Sequence, residues 1–279
     1  MRYLVDHDMH IHSFGSMCSK APEQTPERIL QYAVDEGLTT VALTDHFWDE
    51  TVPMPRGGWG PDFYTSQNWP HITKNLPLPQ KEGVRYLFGA EVDMTLDGTV
   101  GVSAERLAQM DFCLISISHF HCTDFTISAA DAATAEGKAR VLLDKLEQLL
   151  DRPLPWHKIG LAHLVGQKVS GGDPDFHCEV LRLVQGDRLT ALFKKAAALG
   201  VGIELNTATF SFGNDAEREA VTAFYAHAKA CGCKFFFGSD AHAPFQSEHH
   251  RERAQAMADA LALTEQDIFR IGSKCPQGK

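Results

Sequence analysis

Short His/Asp/Glu signatures recur along the whole chain, each closing an apolar run of strand character: His10-Ile11-His12, Thr44-Asp45-His46, Glu91, Ser118-His119, Ala162-His163 and Ser239-Asp240-Ala241-His242. The runs fall at about Tyr3 to Met9, Thr39 to Leu43, Val84 to Ala90, Phe112 to Ile117, Ile159 to Ala162, Val201 to Leu205 and Lys234 to Gly238. Helical patterns separate many of them. Thr25-Pro26-Glu27 supplies a capping hydroxyl, a first-turn proline and an acid, Ile29, Leu30, Ala33 and Val34 form an apolar stripe, and Gly37 is placed to stop the helix. Further helices are expected over Ala129 to Leu150, Asp187 to Leu199, Asp215 to Ala230 and Glu248 to Leu263, with a short one from Thr264.

Strands that alternate with helices pair in parallel, and seven of them in 279 residues fit one closed or nearly closed α/β barrel better than two domains. The expected architecture is therefore a single-domain, TIM-barrel-like (β/α)7 barrel over residues 1–279. In such barrels the chemistry sits at the carboxyl ends of the strands, where the signatures fall. The segment from Phe47 to Lys81 breaks the alternation. It is rich in Pro and Gly, carries Trp48, Trp59 and Trp69, and follows Asp45-His46 directly, which suits either a lid over the site or an ordered insertion packed on the barrel.

Imidazole nitrogens and carboxylate oxygens are the donors that hold zinc, manganese or iron, so this many at equivalent positions point to a polynuclear centre. Alternate residues of a strand share a face, so His10 and His12 can reach one ion while Ile11 packs into the wall. Glu91 can bridge two ions through its two oxygens, and Asp240 and His242 repeat the alternating geometry on the last strand. His46, His119, His121 and His163 stand at or just beyond strand ends. Asp8 shares a face with His10 and is expected to orient ligands or to serve as a hydrogen-bond partner in the core, and not to ligate an ion itself. His7, His71, His157, His177, His227, His249 and His250 are expected to be structural or solvated.

The formal net charge of −10 argues against binding along nucleic-acid backbones, which requires clustered Lys and Arg. It leaves room for a small anionic substrate, because bound ions reverse the local sign of a site. Seven cysteines without a CxxC pair, and a start without the marks of a secretion signal, fit a reducing cytoplasm. No apolar run approaches the ~20 residues of a membrane-crossing helix, so no membrane association is expected.

Taken in order, His10-x-His12, Thr44-Asp45-His46, Gly89-Ala90-Glu91, Ser118-His119, His163 and Ser239-Asp240-Ala241-His242 closely resemble the signatures of the PHP (polymerase and histidinol phosphatase) metal-dependent phosphoesterases. The resemblance spans nearly the whole chain. Asp8 to Ser13, Thr44 to Phe47 and Glu204-Leu205-Asn206-Thr207 look most like the histidinol-phosphatase branch. The resemblance implies two to three divalent ions: His10, His12, Glu91 and Asp240 serve one part of the cluster, His46 and Glu91 another, and His119 and His163 a third, with His242 completing the set. One departure is visible. Many trinuclear members carry another histidine shortly after the first pair, where this chain has Ser16-Met17-Cys18-Ser19, so Cys18 is either a thiolate ligand or an unligated thiol.

The activity this implies is hydrolysis of a small phosphate monoester, histidinol phosphate or another phosphorylated metabolite, by hydroxide held between ions ~3.5–4 Å apart. Asp45, His121 and His242 are the candidate catalytic groups, with His121 or His242 protonating the leaving oxygen. Asn206, Arg56, Lys168 and His249, with Ser13 and Lys20, are candidate substrate contacts. The motifs do not specify the alcohol. Two other readings remain: an amidohydrolase-type metal hydrolase, whose mid-barrel carboxylated lysine is replaced here by Glu91 and His119, and a non-catalytic, metal-stabilised interaction module.

Overall fold

The computed structural model describes residues 2–58, 60–166 and 169–272; Trp59 and Lys168 lie outside the described residues. Seven parallel strands follow chain order around one sheet: β1 (His7–Ile11), β2 (Thr40–Leu43), β3 (Arg85–Asp93), β4 (Phe112–Ser116), β5 (Ile159–Ala162), β6 (Gly202–Asn206) and β7 (Lys234–Gly238). The helices are α1 (Pro26–Asp35), α2 (Gly60–Tyr64), α3 (Trp69–Ile72), α4 (Ala104–Gln109), α5 (Ala129–Ala132), α6 (Ala135–Leu150), α7 (Pro174–Val184), α8 (Asp187–Leu199), α9 (Asp215–Ala230), α10 (Pro244–Ser247) and α11 (His250–Ala260). This is the expected α/β barrel.

Its seam between β1 and β7 is only partly backbone. At the top, the amide of His12 donates to Ala241 O (2.9 Å) and that of Asp240 to His10 O (2.7 Å). Lower down, side chains substitute: Phe237 N donates to His7 Nε2 (3.0 Å) and Ser239 N to Asp8 Oδ1 (2.9 Å). A buried amide without a partner would cost about 1–3 kcal/mol, which explains a buried histidine and aspartate on β1. The barrel interior is filled by the rings of Phe112, Phe236 and Phe269. Room for them comes from Gly160 and Gly202, where an added Cβ would run into those same rings.

Several boundaries differ from the sequence reading. The first strand begins at His7 instead of Tyr3, because Tyr3 N donates to Leu263 O and Val5 N to Gln255 Oε1, tying that stretch to the end of the chain. The helix expected over Ala129 to Leu150 is two, re-capped by Thr134 Oγ1 on Gly137 N. The one expected from Glu248 is preceded by α10 and breaks at His249, which has φ 58°. Helix α7 was not anticipated, although Asp173 caps it and Pro174 opens it.

The base of the barrel holds a charged cluster. Asp6 Oδ1 accepts from Tyr3 Oη (2.5 Å), Arg270 Nη1 (3.0 Å) and His7 Nδ1 (2.8 Å). Burial alone would raise the Asp6 carboxyl, but His7, Arg270 and Tyr3 outweigh it and hold it below the usual carboxylate range. A depressed folded value means stability present above the unfolded pKa of about 4 and lost as pH falls below it. Asp6→Asn should therefore melt below wild type at pH 7, with the gap closing under pH 4; a constant gap across that window would sink this account.

Candidate metal centre

The β-strand ends converge on Glu91, buried on β3. Its Oε2 lies 3.3 Å from His10 Nε2, 3.4 Å from His12 Nε2 and 3.2 Å from His46 Nδ1. Its Oε1 lies 2.9 Å from His163 Nε2 and 3.5 Å from His119 Nε2. Asp240 Oδ1 stands 3.5 Å from His10 Nε2 and 3.3 Å from His12 Nε2. His242 stacks on His12 with ring centroids 4.1 Å apart.

Most of these rings are fixed from behind through Nδ1, which leaves Nε2 toward the centre. His10 Nδ1 meets Glu204 Oε1 (2.8 Å), His119 Nδ1 meets Asp93 Oδ1 (2.8 Å), and His12 Nδ1 meets Ser16 Oγ (3.1 Å). His163 Nδ1 meets Ser118 Oγ (3.1 Å), and His242 Nδ1 donates to Asp240 O (2.8 Å). Carboxylates and hydroxyls behind an imidazole fix its tautomer and sharpen its aim, a hallmark of metal-ligating histidine. His46 is reversed, presenting Nδ1. His163 and Asp240 both adopt left-handed backbone, φ 29° and 55°, a strain of order 1–3 kcal/mol that is concentrated where side chains must be aimed.

Among the described residues, His46 Nδ1 and His119 Nε2 are buried and have no hydrogen-bond partner. Among the described residues, four sets of donors lie within 4.8 Å of one another: His12, His46 and His242; His10, His12 and Asp240; His10, His163 and Glu204; and Glu91, His119 and His163. Orphaned ring nitrogens amid converging donors fit divalent cations, which would complete their coordination. Burial opposes a proton on His10, yet Glu204, Asp240 and Glu91 prevail and raise it well above its ordinary value. Burial would raise Glu91, but His10, His46 and His119 drive it well below. Burial depresses His46; Glu91 opposes, and His12, His119 and His242 add to the depression.

The remaining sequence candidates divide. Asp45, expected among the catalytic groups, has both oxygens engaged: Oδ1 by Ser13 N (2.6 Å) and Ser16 Oγ (3.0 Å), Oδ2 by Ser13 Oγ (2.6 Å) and Asn75 Nδ2 (2.9 Å). Through Ser16, which also accepts from His46 N, it locks the loops that carry His12 and His46. His121 is exposed, packs edge-on to His119 at 5.3 Å, and lines a cavity of about 280 Å³ together with Cys18, Phe63, Tyr64, His46 and His242. Cys18 borders this cavity but joins none of the four donor sets. Asn206 is buried and gives its amide to Glu204 Oε1 (3.2 Å) while accepting from Ala208 N (3.0 Å), so it braces the wall behind His10. Arg56 and His249 are exposed and border neither this cavity nor the one beside Asp240 described below.

The 47–81 segment is ordered where described. Trp48, Phe63 and Tyr64 pack with Cys122 and Phe125 of the loop after β4, and Phe63 and Tyr64 wall the cavity over His46 and His119. Tyr64 Oη donates to Asp93 Oδ2 (2.7 Å), so this segment also reaches the carboxylate that aims His119. Glu204 and Asp93 were not singled out as site residues from sequence. Glu204 did stand in the Glu204-Leu205-Asn206-Thr207 motif, and Asp93 follows Glu91 by two on the same strand face, a periodicity that could have revealed it.

No family model matches the chain. A "probable phosphatase" of Shewanella oneidensis is 24% identical over 263 residues, which span 94% of this chain and 84% of that protein. Among solved structures, histidinol phosphate phosphatase from Lactococcus lactis, complexed with zinc, L-histidinol and phosphate, superposes with a TM-score of 0.64 at 16% identity, covering 94% of this chain and 95% of its own. A candidate histidinol phosphatase from Listeria monocytogenes gives 0.53 at 18% identity, over 86% of this chain and 97% of its own. The barrel is the fold of those two phosphatases, as the resemblance implied.

Proposed function

We propose that this chain is a metal-dependent phosphoesterase that hydrolyses a small phosphate monoester. The observation that carries the reading is the pair of buried, orphaned ring nitrogens, His46 Nδ1 and His119 Nε2, within a ring of donors shared through one carboxylate, Glu91. His10, His12, His46, Glu91, His119, His163, Asp240 and His242 would hold the ions. Bound divalent ions supply an activated water and neutralise charge on the phosphoryl oxygens.

The chain's own groups do the rest. Glu204, Asp93, Ser16 and Ser118 keep the imidazole nitrogens aimed inward, so little reorganisation accompanies binding. Asp45 serves as a positioning residue for the loops of His12 and His46. Phe63 and Tyr64 form an apolar wall that excludes water and makes the 47–81 segment a lid. His121, exposed at the cavity and close to His119, donates the proton that the leaving alkoxide needs. The substrate is small and phosphorylated. Among the described residues no helix is long and apolar enough to cross a membrane, in keeping with a protein acting on dissolved metabolites.

Protein purified without chelator should carry at least two transition-metal equivalents by elemental analysis and hydrolyse p-nitrophenyl phosphate with manganese or zinc. One equivalent or none at full loading contradicts the polynuclear centre. Turnover of amides or lactones alone sinks the phosphatase assignment.

A further inference from the structure

A second cavity, about 310 Å³, opens on the β6–β7 side of the centre, bordered by Asp240, Ser239, Thr207, Phe210, Phe245 and Arg253. It touches the metal-ligand set directly through Asp240, so an alcohol leaving a phosphate held at the centre has this space beside it. Its walls are of mixed character. Phe245 is 67% exposed, unusual for a phenylalanine with no solvent role, and faces the same space as Phe210.

Arg253 is the telling residue. It is the one lysine or arginine, among the described residues, that borders either this cavity or the one over His46 and His119. Its Nη2 donates to Gln246 O (2.8 Å), which holds the side chain toward the β7 loop instead of out along α11. Gln246 in turn accepts His242 N through Oε1 (2.6 Å), so the guanidinium is anchored to the loop that carries a ligand. No carboxylate pairs with Arg253 among the described residues, whereas Arg2, Arg106, Arg140, Arg188 and Arg270 each have an acidic partner. Apart from Asp240, committed to the centre, the cavity presents no carboxylate to receive a cation.

The geometry points to this cavity as the leaving-group pocket, with Arg253 as a specificity-determining residue that selects phosphate monoesters whose alcohol carries a second anionic group. The inference rests on the phosphoesterase reading. A guanidinium recognises carboxylate and phosphate oxygens through the same paired N–H donors, so both chemistries fit. A cationic alcohol such as histidinol places like charge against Arg253 and is disfavoured. Phe210 and Phe245 cover the carbon skeleton between the two anions.

The test compares kcat/KM of the metal-loaded protein on glycerol 3-phosphate, 3-phosphoglycerate, propane-1,3-diol bisphosphate and histidinol phosphate, with p-nitrophenyl phosphate as reference. The wild type should prefer the carboxylate or bisphosphate ester over the neutral one by roughly tenfold, expressed in KM, the scale of one charge-assisted contact. Which of the two anionic esters leads identifies the second group. Arg253→Gln should bring the anionic-to-neutral ratio toward one, and Arg253→Glu should shift preference toward histidinol phosphate. Using ratios removes any loss of folded protein. Turnover of p-nitrophenyl phosphate with no preference by charge, or a ratio unmoved in Arg253→Gln, overturns the pocket assignment alone. Failure of the metal-loaded protein to hydrolyse any ester overturns the phosphoesterase reading with it.

Discussion

Glu91→Gln is expected to leave purification with less than half the wild-type metal content and to lose kcat/KM on p-nitrophenyl phosphate by about a thousandfold, or ~4 kcal/mol of transition-state stabilisation. Among the described residues, Glu91 is the one carboxylate that reaches both groups of imidazoles. Oε2 addresses His10, His12 and His46, and Oε1 addresses His119 and His163, all within 3.5 Å. The amide is nearly isosteric but removes a negative charge and turns one bridging oxygen into a donor group that cannot ligate. It can still hydrogen-bond the rings around it, so the barrel should fold. A melting curve and far-UV spectrum close to wild type would establish that, and elemental analysis then reads the centre itself. Full metal content with an unchanged rate would remove Glu91 from the centre and with it the bridged arrangement.

The difference between what the chain announces and what it conceals follows from the range of each interaction. Strand ends are local: an apolar run followed by His or Asp is visible within a few residues, and for that reason the sequence alone places Asp240, His242, His46 and Glu91 on one barrel face. Asp8 was legible for the same reason, because it alternates with His10 on one strand. What orients the ligands is not local. Glu204 meets His10 across 194 residues, and Asp93 meets His119 across 26. A buried acid in an apolar strand shows in sequence only as an interruption, with nothing to say which distant ring it serves. The barrel seam follows the same logic. The periodicity predicted a strand from Tyr3, but contacts with Leu263 and Gln255, more than 240 residues away, take that stretch out of the sheet. Asp45 shows the limit of a local signal. Its place beside His46 suggested chemistry, while the structure engages its oxygens in four hydrogen bonds that brace the β1 and β2 loops.

Gly238→Ala should weaken metal binding by roughly 10- to 100-fold and lower stability by about 1–3 kcal/mol, although it adds one methyl group to a residue that touches no ligand atom. Gly238 closes β7 where the strand passes between β1 and β6. A Cβ there would sit 2.5 Å from Cβ of His10 and closer still to Oε1 of Glu204. Neither neighbour can yield cheaply. His10 Cβ is fixed by the β1 backbone, whose carbonyl accepts Asp240 N at 2.7 Å. Glu204 is held by His10 Nδ1 at 2.8 Å, His163 N at 2.6 Å and Asn206 Nδ2 at 3.2 Å. The added methyl must either push Glu204 off His10, leaving that ring free to turn, or spread the seam that carries Asp240. Glu204→Gln separates the two outcomes, because it weakens the hold on His10 without adding volume. If Gly238→Ala acts through Glu204, both variants lose metal affinity to a similar degree and only the alanine variant also melts earlier. A Gly238→Ala protein with wild-type melting temperature and wild-type zinc titration would mean that β7 moves aside freely, and the close packing behind His10 would then have no part in aiming it.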